Sequence, residues 1–142
     1  MKKIIIIAAI LFSPICLSAQ GIKNEKDLAQ FYTCYLSNIL LENNKIDSLL
    51  SGSCTKEFIA AWNNLVNEIG LYDPFTNGVT GDYDFIKKTL KVKKEKNHYA
   101  VSFNYLTWPN NLTKEENVIV HVNNEGRICQ VTRPTDNYSV PE

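Results

Sequence analysis

Two hydrophobic rhythms divide the chain. Up to Ile69 the apolar positions recur every three or four residues, and beyond Gly81 they alternate. Leu28, Phe31, Tyr32, Tyr35, Leu36, Ile39 and Leu40 form one stripe, which predicts a helix over about 25–41. Asn24 is a suitable N-cap, and Glu25 and Asp27 fall in the first turn, where the helix dipole favours acidic groups. Cys34 falls off this stripe. Asn43-Asn44 ends the helix, and residues 46–50 supply one further turn before Ser51-Gly52-Ser53 breaks it. A second helix begins near Cys54-Thr55, carries Phe58, Trp62, Leu65, Val66 and Ile69 on one face, and stops at Gly70.

After the central stretch, residues 85–94 read as a first strand that opens with a helical turn. Residues 98–106 are the clearest strand, with Tyr99, Val101, Phe103 and Tyr105 on one face and Ala100, Ser102 and Asn104 on the other. Trp108-Pro109-Asn110-Asn111 reads as a loop, and 117–123 and 127–133 as the last two strands, turning at Asn124-Glu125-Gly126. The expected fold class is α+β: two N-terminal helices packed on one face of an antiparallel sheet of about four strands, paired in chain order. The tail from Pro134 reads as frayed.

The stretch joining the two halves, Leu71-Tyr72-Asp73-Pro74-Phe75-Thr76-Asn77-Gly78 and on through Gly81 to Asp82-Tyr83-Asp84, concentrates residues with special backbone or ligand chemistry. Asp73, Phe75, Asn77, Asp82, Tyr83 and Asp84 are therefore the candidate binding or loop residues. Counted from Asp73, the spacing approaches a calcium-binding EF-hand loop, with Asn77 fifth, Gly78 sixth and Asp84 twelfth. Phe75 stands third, however, and cannot ligate. The expectation is a fixed turn without a metal: Asp73 opens it, Pro74 sets φ, Asn77-Gly78 accepts positive φ, and Phe75 plugs the end of the core. Clustered carboxylates could also serve acid–base catalysis, although sequence proximity alone is weak support.

The N-terminus changes the frame. Lys2-Lys3, the short apolar run 4–12 and Ser18-Ala19 match a cleaved secretory signal, and the run is too short to span a bilayer of ~20 residues. The expected division is a signal peptide over 1–19 and a single α+β domain over 20–142. Cys16 lacks the flanking residues of a lipobox. Removing two lysines from 15 basic and 15 acidic residues leaves a slightly acidic chain, which argues against nucleic acid as partner. Export permits disulfides, and Cys34 with Cys54 is the first pairing expected, ahead of Cys54 with Cys129. A three-residue turn with Gly126 left-handed would set His121 opposite Cys129 and Val122 opposite Ile128, so Cys129 and His121 are a candidate nucleophile pair. No cofactor motif appears.

Ser53-Cys54-Thr55, the second helix, Tyr72-Asp73-Pro74-Phe75-x-Asn77, Asp82-Tyr83-Asp84, Leu90-Lys91-Val92 and Tyr99-x-Val101-Ser102 together resemble domain of unknown function 3828, a family of small bacterial envelope proteins. The resemblance covers about 28–133 and implies a cystatin-like or nuclear-transport-factor-like fold with no known activity. Gly81 stands where that family carries a glutamine, and Gly78-Val79-Thr80 lengthen the gap after Asn77. The function expected is a periplasmic or secreted, non-catalytic binding or interaction module. Its partner would be an envelope protein or small ligand, without a membrane span, and a homodimer is compatible. The alternative is a small hydrolase using the loop aspartates or Cys129 and His121.

Overall fold

The structure, a computed structural model, describes residues 21–39, 45–69, 73–79 and 81–134. The expected signal peptide, Gly70, Leu71, Tyr72, Thr80 and the tail beyond Pro134 lie outside the described residues. Helices α1 (Glu25–Asn38), α2 (Lys45–Ser53), α3 (Lys56–Ile69) and α4 (Tyr83–Thr89) accompany strands β1 (Lys91–Lys94), β2 (Tyr99–Thr107), β3 (Leu112–Val122) and β4 (Ile128–Thr132). The strands form one antiparallel sheet in the order β1-β2-β3-β4, and the helices pack against it, so the α+β class holds.

The inward face of the sheet follows the alternation of its strands. Val101 and Phe103 of β2, Val118 and Val120 of β3, and Ile128 and Val131 of β4 are buried with Leu28, Phe31, Tyr32 and Tyr35 of α1 and Phe58 of α3. α1 is capped as its sequence indicates, Asn24 accepting from the Asp27 N–H at 3.0 Å. The Glu25 carboxylate accepts the Lys94 N–H at 2.7 Å, tying the start of α1 to the end of β1. At the opposite end of the sheet, the Ile22 N–H donates to the Gly126 carbonyl at 2.7 Å. Gly126 has φ +78°, and a Cβ there would stand 2.7 Å from the Ile22 nitrogen, so this close crossing requires glycine.

Five expectations are corrected. The described residues hold four helices instead of two. Ser51-Gly52-Ser53 lies within α2: Leu49 and Leu50 are buried, the Cys54 N–H reaches the Leu50 carbonyl at 2.8 Å, and Arg127 donates to the Ser51 carbonyl at 3.0 Å. These anchors outweigh the ~1 kcal/mol propensity cost of a helical glycine. Residues 85–94 divide into α4 and β1, because Asp82 caps a helix by accepting the Phe85 N–H at 3.0 Å. Cys34 is buried although it lies off the apolar stripe, since α1 is covered by α2, α4 and β1 together. Finally, β3 starts at Leu112, well before residue 117.

The sheet therefore has two unequal halves. β4 pairs with β3 only over Ile119–Val122, and β1 pairs with β2 only over Tyr99–Ser102. The β2–β3 hairpin continues past both, pairing Phe103 with Glu116, Tyr105 with Lys114 and Thr107 with Leu112. On the β1 side its edge is partly closed by Thr89, whose hydroxyl accepts the Asn104 N–H at 2.9 Å.

Candidate functional site

The central stretch folds as a tight turn that points its aromatic residue inward. The Asp73 carboxylate accepts the Phe75 N–H at 2.9 Å with one oxygen and the Thr76 hydroxyl at 2.7 Å with the other. The Asp73 carbonyl accepts the Gly78 N–H at 2.9 Å, and Asn77 and Gly78 take φ of +58° and +70°. An aspartate bonded to the backbone two residues on is the usual chemistry of such a turn. Arg133, just past β4, holds the loop from outside by donating to the Asn77 carbonyl at 3.3 Å.

Phe75 is completely buried. Its ring centroid lies 5.0 Å from those of Phe31 and Tyr35, 5.8 Å from Phe58 and Trp62, and 5.9 Å from Tyr32. The contacts to Phe31, Tyr32, Tyr35 and Trp62 are edge-on, the arrangement favoured by the ring quadrupoles. The loop thus inserts the central ring of a cluster built by α1 and α3.

A polar lining runs beside these rings. Asp73 is half-buried as a residue, but its carboxyl turns inward, where burial raises its pKa against the hydrogen bonds from Thr76, Tyr35 and the backbone. Burial, and then Asp73, push the Tyr35 phenol well above its ordinary range. The Tyr32 hydroxyl is buried without a hydrogen-bond partner; burial, then Asp73, then Cys54 raise its pKa. Cys54 is a buried free thiol pushed up to about 12 by burial, with Arg127 acting weakly in the other direction. The two phenols and the Cys54 thiol facing the core are therefore held in their protonated forms.

The remaining candidates do not join this lining as a carboxylate set. Asp82 is spent on the N-cap of α4, and Asp84 is exposed and pairs with Lys87 at 2.7 Å. Tyr83 is half-buried, its pKa raised by burial and then by Asp73. The Cys34–Cys54 bridge is not made: neither Cys54 nor Cys129 takes part in a disulfide. A register shift between His121 and Val122 leaves Val122 opposite Ile128 and sets His121 opposite Gln130, not Cys129. The Cys129 thiol donates to the His121 carbonyl at 3.5 Å, and the His121 ring lies 5.6 Å from that of His98.

One feature escaped the sequence reading. The tip of the β2–β3 hairpin exposes Trp108 at 91%, Leu112 at 58% and Leu106 at 37%, the large hydrophobic residues left in solvent among those described. The turn closes with the Asn111 N–H on the Thr107 carbonyl at 2.7 Å, Asn111 taking φ +50° and the Trp108–Pro109 bond being cis. The signal was available: if β2 runs to Thr107 and the turn occupies 108–111, the returning strand must begin at Leu112. No helix of the described residues is long and apolar enough to cross a membrane. Compared with known proteins, the chain matches no family model, no curated relative and no solved structure.

Two outcomes test the buried site. Phe75→Ala should cost about 3–5 kcal/mol by opening a cavity among five rings. Thermal unfolding should then show a melting temperature lower by about 10–20 °C, and a drop below about 4 °C would contradict a central role for the ring. Asp73 should make stability pH-dependent with a definite sign. Its folded pKa is raised, so its protonation stabilises the fold fully below the unfolded value of about 3.9 and the gain is lost as pH rises through the folded pKa. Melting temperature relative to Asp73→Asn should therefore favour the native residue more at pH 4 than at pH 7, and a gap that narrows on acidification would reverse the assignment.

Proposed function

We propose that the chain is a non-catalytic binding and protein-interaction module of the bacterial cell envelope, exported by cleavage of residues 1–19 and related to domain of unknown function 3828. In this reading the α+β body is a cystatin-like scaffold over 20–142, and the β2–β3 hairpin is the contact element. The observation that carries it is Trp108, exposed at 91% on the hairpin tip between Leu106 and Leu112. Tryptophan is the residue most typical of interface hot spots, and an uncharged tip from Leu106 to Thr113 suits an apolar pocket on a partner. The hydrolase alternative has less support. Asp82 and Asp84 are engaged on α4, Asp73 is enclosed by its own turn, and the Cys129 thiol is directed to a backbone carbonyl.

The contact role is tested with the mature protein as bait in envelope extract, comparing it with the Trp108→Ala/Leu112→Ser variant by mass spectrometry. The retained proteins should fall by about tenfold or more, the loss typical of a hot spot, while the melting temperature holds. An unchanged retained set would refute the role of the tip. Export is tested separately by intact-mass measurement of the envelope fraction, which should show a chain beginning at Gln20. An intact Met1 or a lipid-modified Cys16 would overturn it.

A further inference from the structure

The hairpin that carries Trp108 also carries an open strand edge. β4 covers β3 only from Ile119 onward, and among the described residues no strand pairs with 112–118 on that side. Exposed edges of this kind present unpaired backbone donors and acceptors and are templates for another strand. Along this edge Leu112, Lys114, Glu116 and Val118 point to the helix-bearing face of the sheet, as the burial of Val118 requires, and Thr113, Glu115 and Asn117 point to the other.

We propose that this edge pairs antiparallel with the same edge of a second copy of the chain, about a two-fold axis through Glu115. The proposal rests on the reading of the hairpin as a contact element and names its partner. Antiparallel strands related by such an axis place residues of one face opposite residues of the same face, so only alternate registers are allowed. The register centred on Glu115 sets Lys114 of each copy opposite Glu116 of the other, and Leu112 opposite Val118. Centring on Lys114 or on Glu116 would instead oppose like charges on the helix-bearing face, and such pairs are destabilising. Charge complementarity therefore selects one register.

The cover also fits at its ends. Glu116 already lies 3.9 Å from Arg133, so Lys114 of the second copy would add a second cation to an acidic group held in place. Pairing over 112–118 stops where β4 begins its own pairing at Ile119 opposite Thr132. Each hairpin tip, with Trp108 and Leu112, is thereby brought to the end of β4 in the other copy. The two Glu115 side chains meet on the outer, solvated face, where their repulsion is screened by salt but keeps the association weak.

The test uses the full mature protein. Sedimentation equilibrium should show a reversible dimer. Lys114→Glu and Glu116→Lys should each weaken it by about tenfold, because every substitution converts two attractive pairs into repulsive ones. The double exchange Lys114→Glu/Glu116→Lys should restore it to within about threefold. In a Cys129→Ser background, Glu115→Cys should form an intermolecular disulfide on mild oxidation, since facing residues lie within bridging distance, and Thr113→Cys should not. A monomer at all concentrations overturns the proposal while leaving the bait experiment free to find another partner. A dimer indifferent to the charge exchange, or cross-linked equally at 113 and 115, overturns the register.

Discussion

The structure depends on one ring carried in from a loop. α1 and α3 present aromatic faces that do not by themselves fill the space between the helices and the sheet. Phe75 fills it, and no other described ring touches as many of the remaining five. Full burial of one such side chain is worth about 1.5–3 kcal/mol from the area term alone. The turn chemistry around it is therefore part of the core. Asp73, Asn77 and Gly78 aim the ring by fixing the backbone that bears it.

That arrangement brings a carboxyl and two phenols toward the same apolar volume. Asp73 is compensated by three kinds of donor: backbone N–H, the Thr76 hydroxyl and the Tyr35 hydroxyl. Tyr32 is not compensated, and a buried hydroxyl without a partner costs about 1–3 kcal/mol. The α1 stripe accepts this because Tyr32 lies edge-on to both Phe31 and Phe75, where its ring packs well. Ring packing and hydroxyl solvation are opposed at this position, and packing prevails.

What could be read in the sequence followed from how local each signal was. The stripe of α1, the Asp73-Pro74 turn and the alternation of β2 depend on spacing within a few residues, and the expected elements form there. The class of fold followed from the change of rhythm at the central stretch. The errors have non-local causes. Gly52 stays helical because Arg127, far along the chain, holds the carbonyl of Ser51. Cys34 is buried because three elements surround α1, which a single stripe does not reveal. Cys129 is displaced from His121 by a one-residue irregularity in the β3–β4 pairing. Phe75 was legible as a plug because an aromatic residue inside a turn has few other uses. The hairpin arm was not, because Thr113-Lys114-Glu115-Glu116 carries no hydrophobic alternation.

That last case separates two reasons for being a strand. Near Val118 and Val120, β3 is a strand because it walls the core. From Leu112 to Glu116 it is a strand because β2 offers a continuous ladder, and each pair beyond the buried ones adds hydrogen bonds on a register already set. A two-stranded ribbon of polar residues would be marginal alone, and its attachment to a four-stranded sheet makes it persist. Trp108 and Leu112 lie at the far end of this ribbon, away from the core cluster, and gain little from folding while they remain in water. The apolar area they carry becomes favourable only when another surface covers it. The body and the arm therefore answer to different requirements: the first to the ring of Phe75, the second to whatever meets the tip.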